Sequence, residues 1–283
     1  MTVNGRRAVS SVIALIVAVA AVGTGWAVAP PATAAAITAT VGDLTYWVDD
    51  ADPGTGAMVT GYVGTDTAVT VPQTVTIEGE SYAVTSIGTD AFKGKGLTAV
   101  DLPDTLTSIG WASFENNQLT EIDIPDAVAN IGSYAFKRNA LTRLTMPSSV
   151  TGIGFAAFEA NALSSVALPE TVTGIESYAF KNNKLTELTI PDTVTTINLA
   201  AFEGNSLTKL TIPASVNYIG AGAFKGNPLL TVRFAGDAPE IVEAGGNGSF
   251  GHSASKILYY SSAATGFTTP EWNGYTTATA NVT

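Results

Sequence analysis

Phenylalanine recurs at positions 92, 114, 136, 158, 180, 202 and 224, always 22 residues apart. Prolines keep the same beat at 103, 125, 147, 169, 191 and 213, isoleucines at 87, 109, 131, 153, 175, 197 and 219, and asparagines at 117, 139, 161, 183, 205 and 227. A strict period with several apolar positions in each unit admits few folds. One unit cannot bury its own apolar side chains, so units must stack and bury them against one another, which makes a solenoid. Within a unit, Leu185–Pro191 alternates apolar and polar at Leu188, Thr189 and Ile190, as a short strand does. Proline then ends the strand, because it has no N–H to continue a ladder. Strands from successive coils run parallel. Ile153, Ala157 and Phe158 have the i, i+4, i+5 spacing of one or two helical turns. The opposite wall is therefore expected to be helical, with Ala and Phe turned inward.

The run Ile153-Gly154-Phe155-Ala156-Ala157-Phe158, followed by Leu163-Ser164-Ser165-Val166-Ala167-Leu168-Pro169, resembles the leucine-rich repeats of BspA-type bacterial surface proteins. The resemblance covers about Val69 to Phe234. The unit is shorter than is usual there, asparagine stands where cysteine is common, and Glu176 and Asn198 replace a glycine. The resemblance implies an α/β, β-rich leucine-rich repeat solenoid. It has a parallel β-sheet on one face, short helical turns on the other, and β caps at both ends. The chain then divides into a signal peptide at 1–36, an N-terminal β cap with the first repeat strand at 37–85, the array of 22-residue units at 86–234, and a C-terminal cap at 235–283.

Three side-chain columns accompany the core. The asparagines have donors and an acceptor to offer the backbone at each bend, so they are expected to form a hydrogen-bonded ladder; Lys95 stands at that position in the first copy. The residue after each phenylalanine alternates in sign, from Lys93, Glu115 and Lys137 through Glu159, Lys181 and Glu203 to Lys225. Stacked on one edge, each interior charge faces two of opposite sign, and a slip of one coil sets like over like. Bulk alternates too. Trp111, Phe155 and Leu199 are large three positions before phenylalanine, whereas Tyr134 and Tyr178 are large two positions before it. Large beside small is how neighbouring layers interdigitate, and it makes a pair of unlike coils the true repeat.

The N-terminus joins Arg6-Arg7 to an apolar stretch and then to Pro30-Pro31-Ala32-Thr33-Ala34-Ala35-Ala36, the pattern of a cleaved secretory signal. Cleavage after Ala34 or Ala36 is expected, with an uncleaved anchor as the rival reading. Composition removes most chemistry. The chain has no cysteine and one histidine, His252. Disulfides, cysteine–metal sites and thiol catalysis are excluded, and so is any site needing two histidines. No nucleophile elbow accompanies His252, Ser249, Ser253 or Ser255. No catalysis, metal or cofactor is expected. A formal charge of -11 speaks against nucleic acid and against anionic lipid beyond the signal segment.

Binding remains. One column of exposed strand positions reads Ala99, Glu121, Arg143, Ser165, Glu187, Lys209, and another reads Asp101, Asp123, Thr145, Ala167, Thr189, Thr211. These vary while the buried columns hardly do, and the broad sheet face is the usual contact surface of repeat proteins. The expected ligand-binding face is Asp101, Glu121, Asp123, Arg143, Thr145, Glu187, Thr189, Lys209 and Thr211. The chain is expected to be a secreted or cell-surface binding module for an extracellular protein or glycan, monomeric or weakly self-associating. The alternative is a structural or self-associating component of the cell envelope.

Overall fold

The phenylalanine column sets the geometry of the stack. In the computed structural model, which describes residues 36–49, 52–242, 248–251 and 256–279, every one of these rings is fully buried. Neighbouring rings lie 5.0–5.6 Å apart at 3–8° to one another. That separation is close to the ~4.8 Å between paired strands, so stacking and backbone pairing favour the same coil spacing. Phe250 joins the column beyond Phe224, although it falls outside the 22-residue period. At the other end Tyr62 covers Phe92, 5.9 Å away.

The chain enters as an antiparallel meander, β1 (Ala36–Val41), β2 (Leu44–Asp49) and β3 (Ala57–Tyr62). The first repeat strand, β4 (Ala68–Thr70), follows. A hairpin of β5 (Thr74–Ile77) and β6 (Glu80–Ile87) then leads to β7 (Ala99–Asp101). Ala36, placed in the signal segment by the sequence, is the first residue of β1. Met1–Ala35 lie outside the described residues.

Two narrow parallel ladders run along the stack. The first comes from the expected strands. It includes β4 with β7, Glu121–Asp123 with Arg143–Thr145, and Lys209–Ile212 with Thr231–Phe234. It continues past Phe234 through Ile257–Tyr260 to Tyr275–Thr279, and Glu271–Trp272 closes it by antiparallel pairing. The second ladder is made of two-residue strands at the periodic isoleucines, such as Ser108–Ile109, Asn130–Ile131 and Gly152–Ile153. The meander joins this one, since β3 pairs with β6 and β6 with Ser108–Ile109.

The expected helical wall is not there. The only helical element among the described residues is a single 3-10 turn, Pro53–Thr55. The wall is instead a pair of tight turns in each coil. Ala135 N–H reaches Gly132 C=O and Lys137 N–H reaches Tyr134 C=O, while Tyr134, Phe136 and Arg138 donate across the coil boundary to Phe155, Ala157 and Glu159. Backbone handedness forbids the helix. Residues two before and two after each phenylalanine have positive φ, as at Tyr134 (62°) and Arg138 (55°), or Ala156 (54°) and Ala160 (59°). Each non-glycine residue in that region costs about 1–2 kcal/mol and cannot propagate a right-handed helix. The gain is a third row of hydrogen bonds between coils, which a helix would have kept to itself.

Asparagine ties the coils at their bends. Asn161 donates Nδ2–H to the Phe136 and Phe158 carbonyls at 2.9 and 3.1 Å, and its Oδ1 accepts the Leu141 N–H at 3.1 Å. The same triple contact recurs at Asn117, Asn139, Asn183, Asn205 and Asn227. At the far end the buried Lys256 ammonium takes over, donating to the Phe250 and Gly251 carbonyls.

The ladders are not continuous. Among the described residues the second has a seam, with no pairing between Gly152–Ile153 and Gly174–Ile175. The first is unpaired between β7 and Glu121–Asp123 and again between Arg143–Thr145 and Lys209–Ile212, where the strand expected at Leu188–Ile190 does not form. The seam in the second ladder falls where Glu176 replaces the repeat glycine. A Cβ on Gly154 would lie 2.4 Å from the Ser133 nitrogen of the preceding coil. Asn198 carries a Cβ at the same place and its coil still pairs, so the Cβ alone does not force the coils apart. The turn wall holds across the seam, with Phe158 N–H bonded to Ala179 C=O.

Candidate binding face

All nine residues of the expected face are exposed, and inward neighbours on the same strands, such as Ile122 and Leu210, are buried. The pleat achieves this, because alternate residues of a strand point to opposite faces. The nine do not form one site. They fall into two groups, on either side of the coil carrying Ser165 and Ala167.

The N-terminal group centres on Arg143. Pairing of Glu121–Asp123 with Arg143–Thr145 sets Arg143 beside Glu121 and Thr145 beside Asp123. The guanidinium bridges Glu121 at 3.0 Å and Asp123 at 2.9 Å. The Thr145 hydroxyl and then the Arg143 charge hold the Asp123 carboxyl below its ordinary range. Asp101, Asp104 and Asp126 line the same shallow groove of about 410 Å³ with Glu121 and Asp123. Arg143 thus offsets only part of an acidic surface. Among the described residues no group of acidic or histidine side chains is arranged to hold a metal ion.

The C-terminal group places Glu187, Thr189, Lys209 and Thr211 around a second shallow groove of about 520 Å³. The same two columns run further than the period shows. Thr231, Ile257 and Thr276 continue the one, and Arg233, Tyr259 and Ala278 continue the other. Arg233 lies 5.8 Å over the Tyr259 ring, and with Lys209 it makes this end of the face basic and aromatic. The sequence offers only the unbroken apolar run Ile257–Tyr260, of strand length but out of step with the repeat.

On the turn edge the charges pair rather than form a continuous ladder. Lys93–Glu115, Lys137–Glu159 and Lys181–Glu203 lie 2.8–3.0 Å apart. No ion pair joins Glu115 to Lys137 or Glu159 to Lys181, so three contacts form between Lys93 and Glu203 where a continuous ladder would have five. Those three lysines also sit 5.0–5.1 Å from the centroids of Trp111, Tyr134 and Tyr178. Trp111, Tyr134, Phe155 and Tyr178 interlock edge to face, 5.2–5.5 Å apart. The geometry is that of a two-coil unit. His252, Ser253 and Ser255 lie outside the described residues; Ser249 is buried and donates to the Gly220 carbonyl.

A solenoid of parallel ladders, capped by a β meander and carrying its varied side chains on one ladder face, defines a leucine-rich repeat protein. The model of the BspA type leucine rich repeat region, with six copies, matches residues 73–184 and 129–256. The chain belongs to that family. A leucine rich cell surface protein from Faecalibacterium prausnitzii superposes with a TM-score of 0.63 at 27% identity, over 81% of this chain and 71% of the other. More distant are a leucine-rich repeat protein from Eubacterium ventriosum (20% identity, 81% and 80% coverage, TM-score 0.39) and the pneumococcal vaccine antigen PcpA (15%, 80% and 94%, 0.30). No curated protein matches the chain in sequence.

Proposed function

We propose that the chain is an exported binding module that recognises an extracellular protein or surface glycan through the exposed face of its first ladder. One observation carries this reading. All nine side chains of the expected face stand in solvent on stacked coils, with the acidic group around Arg143 at one end and Lys209 and Arg233 at the other. A face of fixed spacing and varied chemistry can match a large partner at several points at once. Export rests on the N-terminal leader pattern, and surface location is supported by the relative in Faecalibacterium prausnitzii, itself described as a cell surface protein.

The test is binding of the purified protein to intact cells, matrix proteins and a panel of polysaccharides at physiological salt. Saturable binding lost in Glu187→Lys or Lys209→Glu, and kept in the turn-edge variant Glu159→Lys, supports the ladder face. Equal loss in all three removes it. Silence across the panel with concentration-dependent self-association favours the envelope component instead.

A further inference from the structure

The two ladders begin differently. The second is covered at its start by the meander, through β3. The first begins at β4, which among the described residues pairs with β7 and with no other strand. In the parallel register Ala68↔Ala99, Val69↔Val100, Thr70↔Asp101, the backbone groups of Val69 serve β7. The N–H and C=O of Ala68 and Thr70 therefore point the other way, and among the described residues none of these four groups has a protein partner.

Those groups face a groove of about 540 Å³. It is lined by β4 and the β1–β2 turn, and no residue of β7 lines it, so it runs along the free edge rather than over the face. Leu44, Tyr46, Tyr62 and Val75 are buried side chains that line it, and the exposed Asp43 and Asp66 border it. The Tyr62 hydroxyl donates to the Asp66 carbonyl at 2.9 Å. Burial raises the pKa of that hydroxyl, opposed by its hydrogen bond to Asp66, and the negative charges of Asp66 and Asp43 add to the rise. From Ile37 to Phe92 the chain has eight acidic residues and no lysine or arginine.

We infer that this groove takes an extended, basic segment of another protein, which adds to β4 as the missing outer strand. Four unpaired backbone groups in a row call for an extended backbone, since only a strand presents donors and acceptors at that spacing. The acidic border selects lysine or arginine on the side chains that flank it. Apolar side chains between them rest on Tyr46, Tyr62 and Val75. The site lies at the end of the solenoid and is independent of the face formed by Glu187 and Lys209.

The experiment titrates the purified protein with a labelled short peptide of alternating valine and lysine, read by fluorescence anisotropy. Saturable binding is expected. A peptide N-methylated at alternate residues, which leaves the protein untouched, is expected to bind at least about tenfold more weakly, as the loss of two or more hydrogen bonds implies. Thr70→Pro removes an outward N–H and spares the pairing with β7, and is expected to weaken binding by about fivefold. The double variant Asp43→Asn, Asp66→Asn is expected to weaken binding and flatten its salt dependence. Lys209→Glu is expected to leave it unchanged. Equal binding of the N-methylated peptide, or of a valine–glutamate peptide, overturns the proposal. So does a dimer of this chain that Thr70→Pro abolishes, because a second copy would then own the edge.

Discussion

The Asn161 side chain reaches across a coil boundary to the Phe136 carbonyl, 2.9 Å away, while holding the Phe158 carbonyl of its own coil at 3.1 Å. One amide thus fixes the distance between two coils at the point where both chains turn. Asn161 is buried and its Oδ1 takes the Leu141 N–H, so water cannot replace it. Asn161→Ala leaves the Leu141 N–H without a partner and takes one of two donors from the Phe136 and Phe158 carbonyls, which keep Asn139 and Asn183. The expected loss is about 1–3 kcal/mol, seen as a lower urea midpoint, since that is what one orphaned buried group costs. A loss under about 0.5 kcal/mol would mean the column is ornamental.

Glu176→Gly is expected to close the seam in the second ladder. The change removes a Cβ whose counterpart on Gly154 would lie 2.4 Å from the preceding coil, and it tests that contact as the cause, since Asn198 pairs despite its own Cβ. Amide hydrogen exchange at Gly174 and Ile175 should slow once they pair with Gly152 and Ile153. Unchanged exchange there would assign the seam to another cause.

Ser113 occupies the place that alanine holds at 91, 135, 157, 179, 201 and 223. It is fully buried, and its hydroxyl finds no hydrogen-bond partner. Ser113→Ala removes an uncompensated polar group at constant shape. Thermal unfolding should show a gain of about 1 kcal/mol. A loss on this substitution would mean that the hydroxyl is satisfied after all.

Lys256 ends the asparagine column as a buried cation, and burial pushes its pKa below 10.5. The unfolded chain therefore binds this proton more tightly than the folded one. The sign follows. Burying the charge costs stability at neutral pH, and that cost is relieved as pH rises through the folded pKa toward 10.5. Comparing the native protein with Lys256→Met isolates the effect. The stability difference should shift toward the native protein with rising alkaline pH, and a difference independent of pH would show that the ammonium is not buried in solution.

The periodic columns were legible because a solenoid is nearly one-dimensional. Each of Phe136, Leu141, Asn161 and Ile153 meets its own counterpart in the next coil, so position in the repeat is position in space. The turn wall was misread because Ile153, Ala157 and Phe158 suit a helix and a double turn equally well in spacing. Handedness of φ decides between them, and alanine and tyrosine do not advertise a positive φ. The available hint was Gly94, Gly204 and Gly226, which share a column with Asn116 and Asn182, the two residue types that tolerate that region best. On the binding face, the columns through Lys209 and Thr211 were readable. Arg233 and Tyr259 were not, because the register of Ile257–Tyr260 depends on the length of an aperiodic segment between them.

The pairing of Lys137 with Glu159 and of Lys181 with Glu203, each beside its own tyrosine, gives the array a parity. Adding or deleting two coils together returns the same neighbours along the turn edge. Adding or deleting one interior coil brings like against like, lysine beside lysine or glutamate beside glutamate, somewhere in the stack, however well the buried columns continue. Such a solenoid can change its reach only in even steps, so the span of surface it offers a partner is quantised in double coils.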